Sequence, residues 1–200
     1  CKVDVRWINT WHDPVKEKEA ANSLFDAGAQ VVMTGADTPA NAEAAKEKGK
    51  WAITYDYLEN CKLDSCLTTM YWTWGPIYLA DIKQMQDGKW EPGAEYFDAD
   101  AGGLGLYGFM EGQTPKAGVP KDVIPLVQAK LKDMLAGKFT RFDVFAGPIK
   151  DNTGKIVVPA GEKMTQGDID QFAPGAPGFA AKYGMYWWNE NVIAQLPKLN

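Results

Sequence analysis

Histidine is nearly missing from this sequence: His12 is the only one in 200 residues. Zinc sites and hydrolytic triads draw on histidine together with several partners, so both classes lose their usual raw material. No HExxH pattern is present, and His12, just before a helix-capping Asp13, reads as an exposed loop residue. Cysteine is scarce as well, with three in the chain. Basic residues are outnumbered by acidic ones, 21 to 26, for a net charge of −5. That balance argues against nucleic acid, which asks for a basic face, and against an anionic membrane surface. No apolar run approaches the roughly 18 residues of a membrane span, and no signal-peptide pattern opens the chain. Cys1 stands where an acylated lipoprotein cysteine would stand, but strand-like alternation begins at Lys2 and leaves no tether. Any lipid anchor is therefore expected outside this chain. The run Gly102-Gly103-Leu104-Gly105 lacks the spacing of a phosphate loop and reads as a turn or hinge. Carboxylates such as Asp37 and Asp56 have no nucleophile patterned beside them, so no catalytic residue, cofactor or metal ligand is expected.

What the chain does have is apolar and aromatic material. Apolar residues make up 46% of it, enough for a sizeable core, and charged residues 24%. Eight Trp, eight Tyr and eight Phe are present. Six of the tryptophans come in pairs, at Trp7 and Trp11, Trp72 and Trp74, and Trp187 and Trp188. Flat apolar faces with polar tips suit sugars and planar rings, although any single Trp can equally be core.

Periodicity gives an alternating pattern. Val3, Val5 and Trp7 alternate with polar residues and predict a first strand through Ile8. Asp13-Pro14 opens a helix that Gly28 stops. Val31-Val32-Met33 predicts a short strand, Asp37-Thr38-Pro39 a second helix ending at Gly49, and Trp51 to Tyr55 another strand. Further on, Cys66 to Tyr71 reads as a strand, 75–88 as a helix, and 101–109 as Gly-rich and strand-like. Pro120 to Ala136 reads as a helix, and Phe142 to Val158 as two strands around Asp151-Asn152-Thr153-Gly154. The tail from Gly161 reads as irregular packing against the sheet. The fold class is α/β, a doubly wound, mainly parallel sheet flanked by helices. Ligands of such sheets lie beyond the carboxyl ends of the strands, which singles out the loops 9–13, 34–39 and 56–60. Cys61 and Cys66 enclose four residues and predict either a disulfide or two free thiols.

Several segments, in order, resemble one family. Trp11-His12-Asp13-Pro14-Val15-Lys16-Glu17-Lys18-Glu19-Ala20-Ala21 resembles the helix start of the basic membrane lipoprotein family, the substrate-binding components of ABC importers with the type I periplasmic-binding fold. Gly28-Ala29-Gln30-Val31-Val32 is similar to the strand entry that follows. Asp37-Thr38-Pro39-Ala40 and Thr73-Trp74-Gly75-Pro76-Ile77-Tyr78 are similar to segments of the purine-base branch, and Phe145-Ala146-Gly147-Pro148-Ile149-Lys150-Asp151-Asn152 to a motif near the family's C-terminus. The resemblance runs from about Trp7 to Val158. It implies that residues 1–200 are the C-terminal portion of a two-lobed clamp whose first lobe is not in this sequence. By the same analogy the helix 75–88 belongs to the hinge or to the first lobe's side.

The resemblance further implies an extracytoplasmic protein, not an enzyme, that captures a small polar solute, a purine base or nucleoside, and hands it to ABC permease subunits. Nucleoside-binding members carry Lys where this sequence has Trp72, a departure that favours stacking on a planar base or packing on a sugar face. Asp56 matches a family acidic position near the ligand, where it would accept hydrogen bonds. The expected ligand-binding residues are Trp11, Asp37, Asp56, Trp72 and Trp74. Two rivals use the same architecture: a sensor domain feeding a kinase or transcription factor, and an enzyme on a doubly wound sheet.

Overall fold

A computed structural model describes residues 1–93, 96–170, 182–185 and 187–193. The chain divides into two compact units, residues 7–138 and residues 1–6 with 139–200.

The larger unit is built on a four-stranded sheet. Its elements are α1 (Pro14–Asp26), β1 (Val31–Met33), α2 (Ala40–Lys48), β2 (Trp51–Asp56), β3 (Cys66–Trp72), α3 (Trp74–Gln86), β4 (Leu104–Leu106) and α4 (Ile124–Leu135). The strand order is β1-β2-β3-β4. β1, β2 and β3 are parallel, and β4 runs antiparallel to β3. The helix boundaries follow from local chemistry. The Asp13 side chain accepts from the Lys16 N–H at 3.1 Å, and Pro14 takes the first helical position. Gly49, at φ 62°, ends α2 in the left-handed region.

The core lies between α1, α2 and one face of the sheet. Ala21 and Phe25 of α1 meet Ala42, Ala44 and Ala45 of α2 and Val32 and Ala52 of the strands. Alanine lets the two helices lie close, and Lys18–Glu47 and Lys48–Asp26 link them across the surface at 2.7 and 2.6 Å. Buried Asn41 fastens α2 to the sheet: its Nδ2 donates to the carbonyls of Val32 and Ile53, both at 3.0 Å. Alternation in β1 is plain, with Val32 buried between exposed Val31 and Met33. Cys61 and Cys66 are joined in a disulfide with Cα atoms 5.3 Å apart, which settles the alternative left open by their spacing.

The smaller unit holds α5 (Arg141–Val144), β5 (Ile149–Lys150), β6 (Ile156–Val158) and α6 (Gln166–Asp170). β5 and β6 form the expected hairpin, and Asp151 Oδ1 closes its turn by accepting from the N–H groups of Thr153 and Lys155.

Two expectations are corrected here. Among the described residues, 3–8 form no strand: Val3 makes one parallel bridge to Val192, and Val3 and Trp7 are exposed. Alternation alone does not make a ladder. The segment from Phe142 is helical before it is extended. Thr140 and Asp143 form a reciprocal capping box, with Asp143 Oδ2 accepting from the Thr140 N–H at 2.7 Å. Part of the expected irregular tail lies outside the described residues. Its described part includes α6, where buried Asp168 accepts from the Thr165 N–H and hydroxyl, both at 2.8 Å.

Candidate functional site at the carboxyl ends of the strands

The parallel strands β1, β2 and β3 all end on one side, and the chain leaves each of them there through a polar or aromatic loop. The loops are tied together by backbone and amide hydrogen bonds. The Asp37 N–H donates to the Trp11 carbonyl at 2.9 Å, joining the entry of α1 to the loop after β1. Asn60, buried in the turn after β2, donates through Nδ2 to the carbonyls of Asp37 and Tyr55, both at 3.1 Å. Glu17 is buried beneath these loops. It accepts from the Thr38 hydroxyl at 2.5 Å and from the Asp13 N–H at 3.0 Å. Asn60 and Glu17 were not among the residues expected from sequence, because each bonds to a group far along the chain.

Asp56, the last residue of β2, adopts φ 76°. Asp tolerates the left-handed region better than most residues, but the conformation still carries a cost. The Tyr57 N–H closes the turn onto the Tyr55 carbonyl at 2.9 Å. Asp37 and Asp56 are both half-buried, and Trp11 is 73% exposed.

Aromatic rings continue from the same strand end. Tyr55 meets Trp72 edge to face at 6.4 Å between centroids. Trp72 lies 5.8 Å from Trp74, tilted by 34°, and Trp74 stacks on Tyr78 at 6.1 Å and 16°. β3 ends at Trp72 and α3 starts at Trp74, and the turn between them keeps their rings together. Trp74 is 51% exposed although Tyr78 backs it.

Beside this pair lies an open cavity of about 310 Å³. Trp72, Trp74, Ile77, Trp90, Gly93 and Phe97 line it, with Asp81 and Glu91 as its carboxylates. The glycine run 102–105 explains part of this shape. A Cβ on Gly103 would lie 2.3 Å from the Phe97 carbonyl oxygen and 2.6 Å from its Cβ. A Cβ on Gly105 would lie 2.2 Å from the Tyr71 ring. The glycines therefore admit neighbouring groups, as a turn does, and the Thr73 N–H binds the Gly103 carbonyl at 2.9 Å to hold this edge against β3. Trp90 and Phe97 escaped the sequence reading because the stretch around 90–97 has no periodicity to place it, and Asp81 because it lies inside α3, away from any strand end. His12 is exposed, in line with its loop assignment.

Of the expected residues, the structure brings Trp11 to Asp37 through backbone and Trp72 to Trp74 through their rings. Asp56 stands at the end of β2, paired in register with Tyr71, one residue before Trp72. The arrangement offers flat apolar surface beside hydrogen-bond acceptors, which suits holding a planar polar molecule.

Comparison with known proteins agrees with this geometry. The family described as ABC transporter substrate-binding protein PnrA-like matches residues 1–135. A purine-binding protein of Brucella abortus is 30% identical over 167 residues, covering 81% of this chain and 44% of that protein. A protein of Haloferax volcanii named for ABC-transporter glucose binding is 32% identical over 151 residues, covering 72% of this chain and 34% of its own. The chain thus spans less than half the length of these relatives. Among solved structures, a transcriptional activator of the comK gene from Bacillus halodurans superposes with a TM-score of 0.54 at 23% identity, over 65% of this chain and 45% of that one, a likeness of fold alone. With the mainly parallel sheet, its flanking helices and the match across residues 1–135, the chain belongs to the PnrA-like, or Bmp, family of ABC transporter substrate-binding proteins.

Proposed function

We propose that this chain is the C-terminal portion of an extracytoplasmic solute-binding protein that captures a purine base or nucleoside and delivers it to ABC permease subunits. The observation that carries the reading is the ladder Tyr55–Trp72–Trp74–Tyr78, set at the carboxyl end of the sheet beside Asp56. A purine presents a π-face for Trp74 and N–H groups for a carboxylate. Trp11 and Asp37 complete the rim. The name of the Brucella relative supports the same solute class.

The rest of the ligand shell belongs to a first lobe, and α3 is the element that meets it. Among the described residues α3 has no buried side chain, and Tyr78, Ile82 and Met85 leave an apolar stripe exposed along one side. A stripe at i, i+4 and i+7 is the pattern of a helix that packs on a partner. Closing the two lobes over the solute by a hinge motion would cover it.

The test is calorimetry on the complete protein with adenine, adenosine and glucose, repeated for Trp74→Ala and Trp72→Ala. Stacking on a base is worth about 1–3 kcal/mol, so Trp74→Ala should weaken purine binding by roughly five- to a hundredfold while the melting temperature holds. A Trp74→Ala protein that melts far lower yet binds normally would assign Trp74 to the core. Binding of glucose alone would replace the purine with a sugar.

A further inference from the structure

Building on the purine reading, we infer that the cavity beside Trp74 is an amine-recognition subsite in which Asp81 accepts an N–H group of the bound base. Three observations meet there. The first is shape: the cavity holds about 310 Å³, at the small end of the range for small-molecule pockets, and indole and phenyl rings line it. Phe97 is fixed by the close approach of Gly103.

The second is a carboxylate on the cavity wall. Asp81 is half-buried and lines the cavity among the aromatic side chains. A hydrogen bond from a ligand donor to a charged carboxylate is stronger than one between neutral groups. Asp81 lies one helical turn beyond Ile77 and two beyond Trp74, so all three share a face of α3 and line the same space.

The third is charge. Glu91 stands with Asp81, and none of the described lining residues is basic. Such a wall accepts donors and positive charge and repels phosphate. A planar solute stacked near Trp74 can turn an amino group toward the Asp81 carboxylate, a contact that a base without such a group lacks. Asp81 is then a specificity-determining residue, distinct from the stacking surface.

The experiment measures adenine and unsubstituted purine by calorimetry on the complete protein, with glucose as a third probe. The wild type should bind adenine about tenfold or more tightly than purine. Asp81→Ala should bring the two affinities together, and Asp81→Asn, which keeps an acceptor but loses the charge, should cut the preference at least about threefold. Because the ratio is read within one protein, general destabilisation cannot imitate the loss. If Asp81→Ala does not fold, Asp81→Asn decides. An adenine preference that survives the substitution, or none in the wild type, overturns the subsite and leaves purine capture standing. Glucose binding without binding of either purine overturns the purine reading and the subsite with it.

Discussion

Lys116 offers the sharpest test of how the larger unit holds its strand-end loops. Its ammonium donates to three consecutive carbonyls, those of Cys61, Lys62 and Leu63, at 2.9, 3.2 and 2.7 Å. These carbonyls follow the single 3₁₀ turn Leu58–Cys61, whose C-terminal end lacks internal donors. The disulfide closes the same loop covalently, so the carbonyls cannot turn away freely once the cation is gone. Replacing Lys116 with Met keeps the stem and removes the charge. A hydrogen bond to a charged group contributes about 1.5–3 kcal/mol, but three such terms do not add here. Lys116 is half-buried, water reaches the Lys62 carbonyl, and the variant regains about 2 kcal/mol of side-chain entropy at most. The net expectation is a loss of about 2 kcal/mol, or roughly 4–8 °C in the unfolding transition of a chain this long. Differential scanning calorimetry measures it, with Lys62→Met as control, since Lys62 pairs with Glu59 on the open surface. Lys62→Met should leave the transition where it is. A Lys116→Met protein that melts within about 1 °C of the wild type would show that the carbonyl nest is solvated as well without the lysine, and the argument would fail.

The remaining predictions use simpler assays. Thiol labelling of the unfolded, unreduced protein should find one reactive cysteine, Cys1, because Cys61 and Cys66 are bridged; three would refute the disulfide. Acid should loosen the smaller unit. The Lys163 ammonium, then the Thr140 N–H, holds the Asp143 carboxyl well below its ordinary range. The Lys182 ammonium and then the Tyr183 hydroxyl depress Glu162. Burial pushes Asp168 up, but the N–H groups of Thr165 and Tyr183 outweigh it and bring it down. Folded values below the unfolded ones mean stabilisation that is complete above about pH 4–5 and is lost as pH falls through the folded values. Unfolding at pH 7, 4 and 2.5, followed by tryptophan fluorescence, should show the drop confined to the acid side; flat stability would contradict it. Asp56→Gly relieves the left-handed backbone at φ 76° and deletes the carboxylate, so the melt should stay within about 1 kcal/mol while solute binding falls in calorimetry. Unchanged binding would remove Asp56 from the site.

The fold was most legible where the signal is local. Asp13-Pro14, Gly28 and Gly49 mark helix ends through capping and left-handed geometry, and α1 and α2 begin or stop within a residue or two of them. The parallel order of β1 and β2 followed from strands alternating with helices, whereas β3 joins them in parallel after only the 3₁₀ turn Leu58–Cys61, which the pattern did not anticipate. The strand expected at 3–8 failed because alternation reports a face only when a neighbouring strand and a core are present to cover it. At 140–143 the capping signal Thr-x-x-Asp was present in the sequence, but the apolar alternation after it suggested a strand. In the site, the strand-end rule singled out the loops that carry Trp11, Asp37 and Asp56, and the family resemblance and the pairing of tryptophans added Trp72 and Trp74. The rule marked the loop of Asn60 without its role and could not reach Glu17 or Lys116; the far partners of the three are 23, 21 and up to 55 positions away. Those separations close only in the folded chain.

These distant contacts also explain how a strained site persists. Asp56 and Asn9 are the described residues other than glycine with positive φ, and Asp56 ends the strand at which the ligand is proposed to bind. A backbone conformation that costs about 1–2 kcal/mol survives when its surroundings over-determine it. Just beyond Asp56, the Tyr57 N–H returns to Tyr55 and the Asn60 N–H reaches the Tyr57 carbonyl at 3.1 Å. Asn60 Nδ2 then pulls the loop onto the Tyr55 and Asp37 carbonyls. The disulfide and Lys116 clamp the far side of the same turn. Each contact restrains only a few dihedrals, but together they leave Asp56 few alternatives. The stabilising groups of this loop thereby act on function as well: they set the direction of a carboxylate that the sequence alone could place only on a loop.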